Sequence, residues 1–295
     1  MKHLFIINPA AGKGKNLKLI PIIEEIFKNK EDKYFIEITK CAGHATEIAK
    51  SYSQKGDYRI YSVGGDGTLN EVLNGMVNSS SSLAVIPCGT GNDFIKSIYN
   101  FSKNYKIEDL LMKIINGKEK FIDLCTFNYR YFINIASVGF DAEVAYNAIK
   151  VKKFPCVGGM LAYIIGIIIT VFKYNSYKLK INIDEKVLEL DGLLAAIANG
   201  RYYGGGIFVA PKARIDDGLF SICAIEKVSR LKILALFPKV IKGTHEDIKE
   251  VSFYQGSKVR IESDKPVAFN IDGEITKGKI AEFKIIKNGI KIIYP

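Results

Sequence analysis

The chain has 295 residues, 48% of them apolar and 25% charged. That is too long for one ordinary core and too apolar for disorder, so two folded domains are expected. Lys and Arg number 42 against 31 Asp and Glu, a net charge of +11. This excess suits an acidic partner or working surface, although scattered lysines also serve plain solvation. No block of five basic residues and no nucleic-acid-binding motif is present, so nucleic acid is not an expected partner. Five dispersed cysteines and three separated histidines argue for reduced thiols in a cytosolic protein, and against a disulfide framework or a zinc site.

Leu4 to Ile7 form an apolar run too short for a signal-peptide core and are expected as a first strand. Asn8 to Lys15 then make a Gly/Lys-rich loop before a helical pattern from Leu17 to Phe27. A strand (Tyr34 to Thr39), a helix (Ala45 to Gln54) and a strand (Arg59 to Val63) follow. The third strand runs into Gly64-Gly65-Asp66-Gly67-Thr68-Leu69-Asn70, with helix expected over Glu71 to Val77. Three glycines in four positions let the backbone approach a ligand closely, and the helix start behind them favours anionic oxygens. The Asp66 carboxylate would repel a bare phosphate, so a divalent cation or a hydroxyl is expected between them. The loop is neither a Walker A loop nor a Rossmann fingerprint, having neither the Gly-Lys-Ser/Thr ending nor the GxGxxG spacing. The next strand, Leu83 to Pro87, repeats the design: Cys88-Gly89-Thr90-Gly91-Asn92-Asp93 leads into a helix that Asn92 or Asp93 is placed to cap. Alternating strands and helices of this kind predict a parallel sheet that binds its ligand at the carboxyl ends of the strands.

After a helix over Ile107 to Ile115 the pattern changes to many short strands with tight turns, which predicts an antiparallel sandwich or barrel. These strands are expected at Phe121 to Leu124, Tyr131 to Ala136, Lys178 to Ile183, Val187 to Leu190, Leu193 to Asn199, Phe220 to Ile225, Lys258 to Ser263, Val267 to Ile271 and Ala281 to Ile286. Phe154 to Phe172 holds 19 uncharged residues, about 28 Å as a helix. Pro155, Gly158 and Gly159 shorten it, and the expectation is a buried or lipid-facing helix rather than a membrane span. Lys150, Lys152, Lys153 and Lys173 around it suit an anionic membrane surface. Asp272-Gly273 reads by itself as a hairpin turn, and Glu274 beside it as a carboxylate held out on a rigid support, the best candidate for a general base. Arg214-Ile215-Asp216-Asp217-Gly218-Leu219 reads by itself as a surface turn carrying two acids. Asn199 to Gly206 is either a plain glycine-rich turn or the wall of a substrate cleft.

Taken together, Asn8 to Gly14, Thr39 with Gly43-His44-Ala45, Gly64 to Asn70, Pro87 to Phe94, Asp217-Gly218-Leu219 and Asp272-Gly273-Glu274 resemble, in order, the motifs of the diacylglycerol, sphingosine and ceramide kinase superfamily. The soluble bacterial diacylglycerol kinase type is the nearest pattern. The resemblance implies an α/β domain similar to NAD kinases and phosphofructokinases, at residues 1–123 with a C-terminal return at 289–295. It also implies a β-sandwich lipid domain at 124–288 and an active site in the cleft between the two. The nucleotide site, for ATP with Mg2+, is then expected at Asn8, Thr39, Gly64, Gly65, Asp66, Gly67, Thr68, Leu69, Asn70, Gly89, Thr90 and Asn92. The same resemblance gives Asp66 and Asp93 as the acidic pair and Glu274 as the proton acceptor. A structural magnesium is expected on Asp217 with the carbonyls of Arg214 and Leu219.

The expected activity is an ATP-dependent lipid kinase, diacylglycerol first, acting in the cytoplasm with reversible contact to an anionic membrane. Another lipid alcohol, an NAD kinase-like reaction and a non-catalytic nucleotide-binding protein are the alternatives. Edge strands in the second domain would allow a homodimer.

Overall fold

The computed structural model describes residues 1–99, 106–151, 154, 159–173 and 176–295, with the side chains of 13, 159 and 160 excepted. Lys152, Lys153, Pro155, Cys156 and Gly158 lie outside the described residues, as does the side chain of Lys13. The chain divides into two units, Met1–Leu124 with Lys287–Pro295, and Cys125–Ile286.

The first unit alternates strand and helix: β1 (Lys2–Ile7), α1 (Leu19–Phe27), β2 (Lys33–Ile38), α2 (His44–Ser53), β3 (Arg59–Gly64), α3 (Asp66–Met76), β4 (Ser82–Pro87), α4 (Asp93–Ile98), α5 (Ile107–Ile115) and the start of β5 (Lys118–Phe127). Its strands pair in parallel in the order β4-β3-β1-β2. Leu4 to Ile7, Ile60, Tyr61 and Val63 are wholly buried, as strands covered on both faces must be. Helices α2 and α3 pack closely because Gly75 has no side chain: a Cβ there would stand 2.4 Å from the Thr46 carbonyl. Glu71 fastens the same pair, its Oε2 accepting the Ala45 amide at 3.2 Å.

Two expectations change here. Helix α3 starts at Asp66 and not at Glu71, because Leu69, Val72, Leu73 and Met76 already fall on one buried face. Leu69 and Asn70, expected at the ligand, are 2% and 3% exposed. A 3-10 helix at Ala11–Lys18 occupies most of the expected Asn8 to Lys15 loop.

The second unit comprises β6 (Arg130–Phe132), β7 (Ile135–Gly139), α6 (Phe140–Val151), α7 (Gly159–Lys173), β8 (Tyr177–Ile183), β9 (Lys186–Ala198), β10 (Phe220–Glu226), α8 (Arg230–Lys242), β11 (Val251–Gly256), β12 (Lys258–Ile271) and most of β13 (Glu274–Tyr294). Its pairings are antiparallel, in the order β11-β10-β9-β7-β12-β13 with β8 against β9 and β12. Strand β9 shows why there are two apolar layers. Leu194, Ala196 and Ala198 join the core beneath α6, α7 and α8, while Ala195 and Ile197 join the core on the other face, the period of two that a pleated strand imposes. Truncating Ile197 to Ala would cost about 2–5 kcal/mol from the second core.

The expected strand Tyr131 to Ala136 is broken into β6 and β7 because the amides of Ile133 and Asn134 turn aside to the Asp272 carboxylate. The breaks expected within β9 and β12 are absent, although β12 shifts register between Glu262 and Val267. Helices α6 and α8 and strand β11 had no expectation; Pro238 inside α8 disguises that helix in the sequence. Among the described residues, no helix is long and apolar enough to cross a membrane.

Candidate active site

In the first unit three strand ends converge. Asn8, just past β1, ties them: its Nδ2 donates to the Thr68 hydroxyl at 2.9 Å, its Oδ1 accepts the Ala10 amide at 3.0 Å, and its carbonyl accepts Asn16 Nδ2 at 2.8 Å. Thr39 follows β2, buried, its amide on the Ile7 carbonyl at 2.9 Å. The glycine loops after β3 and β4 lie back to back. A Cβ on Gly89 would stand 2.4 Å from the Gly65 Cα, so no larger residue fits there without movement. At Gly67 a Cβ would meet nothing within 4 Å. Backbone therefore approaches backbone on one side of the loop, and open space lies on the other.

The cap of α4 is not the one expected. Asn92 occupies the capping position with φ +50°, but its side chain folds back to Gly89, Oδ1 accepting that amide at 3.0 Å and Nδ2 donating to its carbonyl at 2.9 Å. Asp66, 27 residues earlier, supplies the cap: its Oδ1 accepts the amides of Asp93 at 2.9 Å and Phe94 at 3.4 Å. Burial raises the Asp66 carboxyl above its ordinary pKa and the Asp93 charge adds to this, with the two amides opposing. Asp93 is itself buried and its Oδ1 pairs with Lys96 Nζ at 2.8 Å. Lys96 had no place in the sequence expectation; an i,i+3 spacing on α4 was the available signal. Thr90 lies exposed in the loop between β4 and α4. His44 opens α2 with its Nδ1 accepting the Lys40 amide at 3.1 Å.

These residues suit a nucleotide triphosphate with magnesium. Space is open at Gly67 beside the start of α3, and the second oxygen of Asp66 is not engaged in the α4 cap. Among the described residues, no group of three or more His, Cys, Asp and Glu stands together as a metal cluster. The expected structural magnesium on Asp217 needs only one acid. The set of one carboxylate and two carbonyls has the hard-oxygen chemistry of magnesium, and Asp217 Oδ1 accepts the Leu219 amide at 3.0 Å, which folds that turn. Arg214 Nε faces Asp216 at 3.3 Å and offsets its charge.

In the second unit, Asp272 (φ +48°) and Gly273 (φ +94°) turn β12 into β13 with the two left-handed residues of a type I′ hairpin. The Asp272 carboxylate accepts the amides of Ile133 at 3.0 Å, Asn134 at 3.2 Å and Ile135 at 2.9 Å. It anchors the turn and leaves Glu274 as the carboxylate available for chemistry. Glu274 is 47% exposed and ion-paired with Arg130. Asn199, from the glycine-rich segment, donates to the Ile133 carbonyl at 2.8 Å.

A further acid, Asp141 on α6, escaped the sequence reading. Burial pushes its pKa up to about 7 against the pull of the Ser137 hydroxyl. The signal available was an acid inside the apolar stretch Ile135 to Val144.

Residues 2–127 match the diacylglycerol kinase catalytic domain, and residues 134–294 match the YegS C-terminal NAD kinase beta sandwich-like domain. A diacylglycerol kinase of Staphylococcus carnosus is 30% identical across 98% of this chain and 94% of its own, and one of Bacillus subtilis is 28% identical across 100% and 97%. A crystal structure of a candidate diacylglycerol kinase from Bacillus anthracis str. Sterne superposes with a TM-score of 0.80 at 26% identity, covering 100% of this chain and 95% of that one. The fold is thus a NAD kinase-like α/β unit followed by a beta-sandwich-like unit, the build of a lipid kinase. The chain belongs to the diacylglycerol kinase family, of the form that carries a YegS-type C-terminal domain.

Proposed function

We propose that this lipid kinase transfers the γ-phosphoryl group of ATP to the hydroxyl of an amphiphilic lipid, with diacylglycerol as the first acceptor and phosphatidic acid as the product. The observation that carries this reading is the pair of glycine loops locked to each other by Asp66, with open space at Gly67. The backbone N–H groups of the loops would hold the phosphates, and Asp66 and Asp93 would hold the magnesium on its nucleotide. Bound magnesium screens the phosphate charge. The lipid oxygen bonds to the γ-phosphorus as the bond to the β–γ bridging oxygen breaks and ADP leaves. Glu274 takes the hydroxyl proton. The diacylglycerol kinases of Bacillus subtilis and Staphylococcus carnosus support the choice of acceptor by their names.

Reversible docking on an anionic membrane belongs to the same reading. Leu161, Ile164, Ile168 and Phe172 form one exposed apolar stripe along α7, spaced i, i+3, i+7 and i+11, and the chain as a whole carries +11. Those are the features of a helix lying on a charged interface. The test is incubation of the protein with labelled ATP, magnesium and a total lipid extract, followed by identification of the labelled lipid. Label in phosphatidic acid supports the proposal. Label confined to another lipid replaces the acceptor, and absence of label from every lipid removes the proposal.

A further inference from the structure

The phosphoryl-transfer chemistry described above leaves one charge of the first unit without a task. Lys96 follows Asp93 by three positions on α4, and its Nζ stands 2.8 Å from Asp93 Oδ1. The Asp93 side chain is 8% exposed and that of Lys96 35%, so the acid is fixed inside while the lysine keeps access to solvent. Gly91 marks a point that both acids face: a Cβ there would stand 2.9 Å from Asp66 Oδ2 and 3.6 Å from Asp93 Oδ2. Burial, then the Asp93 charge, raises the Asp66 carboxyl, and the Lys96 charge works against both. Asp66, Asp93 and Lys96 therefore make one electrostatic cluster of two acids and a base.

A Lys–Asp pair at this spacing on an exposed helix contributes little, whereas a buried carboxylate needs its counter-charge. Lys96 supplies that charge in the structure. On the proposed function, a magnesium ion held by Asp66 and Asp93 would meet the same need, and at such short range like charges would repel the ammonium. The nearest negative charge left to Lys96 is then the triphosphate that the ion accompanies, whose γ-phosphoryl group spreads its charge over three outer oxygens during transfer. Lysine suits such a change of partner, because its charge is compact and rides on a flexible four-carbon stem with three rotatable donors.

We propose that Lys96 exchanges partners: it neutralises Asp93 until nucleotide arrives and then binds the γ-phosphoryl oxygens of ATP, so that the site prefers ATP to ADP. The inference rests on the proposed function, from which it takes the nucleotide and its metal.

The test uses the full chain without lipid, so that no phosphoryl group reaches an acceptor. Calorimetry with magnesium present should show Lys96→Met weakening ATP at least about tenfold, the loss of one charge-assisted hydrogen bond, with ADP held within about threefold. Lys96→Arg, which keeps the charge, should recover part of the lost ATP affinity. In the parent chain, acylation of Lys96 by acetic anhydride, read by mass spectrometry, should be slowed more by the β,γ-imido analogue of ATP than by ADP. That measurement decides the matter should Lys96→Met fail to fold. A lysine that only fastens Asp93 would shift ATP and ADP together in Lys96→Met and would label alike with either nucleotide. Unchanged ATP affinity, equal losses for ATP and ADP, or equal labelling overturns this proposal alone while the parent chain still phosphorylates lipid. Lack of ATP binding by the parent chain overturns the proposed function along with it.

Discussion

Replacing Asp66 separates two tasks that one side chain performs. Its Oδ1 caps α4 through the amides of Asp93 and Phe94, at 2.9 and 3.4 Å, while the other oxygen is the proposed metal contact. Asparagine keeps an oxygen where the cap needs it and lacks the charge; alanine keeps neither. Losing a cap costs about 0.5–2 kcal/mol, which at about 1.4 kcal/mol per decade opens the first turn of α4 roughly two- to thirtyfold more often. We expect hydrogen exchange at the Phe94 amide, measured without nucleotide, to accelerate by that factor in Asp66→Ala and by much less in Asp66→Asn. Both variants should lose saturated lipid-kinase turnover, because a neutral amide is a poor magnesium ligand. Burial, then Asp93, raises the Asp66 carboxyl in the fold, so the folded chain releases this proton at higher pH than the unfolded chain does. Stability from this group therefore falls as pH rises from the unfolded value through the folded one, and Asp66→Asn should resist urea better than the parent at neutral pH. Wild-type turnover in Asp66→Asn, or unchanged Phe94 protection in Asp66→Ala, would refute the reasoning.

Glu274→Gln should lower saturated turnover by about 10²–10⁴ with ATP affinity by calorimetry unchanged; lost ATP binding at a preserved rate would place Glu274 outside the proton transfer. Asp272→Asn has one acceptor oxygen for three amides and should strand one, costing about 1–3 kcal/mol in urea unfolding. If Asp272 acts only by holding the turn, the double variant with Glu274→Gln should turn over no more slowly than Glu274→Gln alone. Asp141, pushed up to about 7 by burial, is ionised first in the unfolded chain. Stability should therefore decline between about pH 4 and 7 by up to about 1.4 kcal/mol per pH unit, and Asp141→Asn should flatten that decline in denaturant titrations. Flotation with anionic vesicles should weaken as salt shortens the screening length below about 8 Å and be lost in Ile164→Glu/Ile168→Glu; equal flotation with neutral vesicles would dismiss the docking surface.

The first unit was readable because its signals are local. Apolar runs ending in glycine clusters mark strand ends, and β1, β3 and β4 fall within a residue or two of expectation. What stayed hidden is what depends on distant partners. No spacing rule links Asp66 to the amides of Asp93 and Phe94, or Asp272 to those of Ile133 to Ile135, 137 to 139 positions away. The buried Asp123 is a further example, its Oδ1 accepting the Asn288 amide at 3.0 Å and so fastening the C-terminal return strand. Helix α6 was missed because Phe140, Ala142 and Val144 alternate like a strand over their first turn. Leu69, read in the sequence as part of a ligand motif, also has its side chain buried by the helix that the motif opens.

The acids sort by what their oxygens accept. Asp272 gives both oxygens to backbone amides and Asp184 gives both to Ser257, whose amide and hydroxyl they accept, so each is satisfied by the fold. Glu274, in contrast, is ion-paired with the half-exposed Arg130 of β6, a partner that water or substrate can replace at little cost. Asp66 falls between them, one oxygen bound into the cap of α4 and a carboxyl raised by burial. Such a raised carboxyl is the form that gains most from a bound cation, because the cation supplies the opposite charge that burial withholds. Burial thus weighs against the charged form of Asp66; on the proposed function magnesium–nucleotide binding would offset that cost, and the affinity for the metal would be tied to the cap that positions α4.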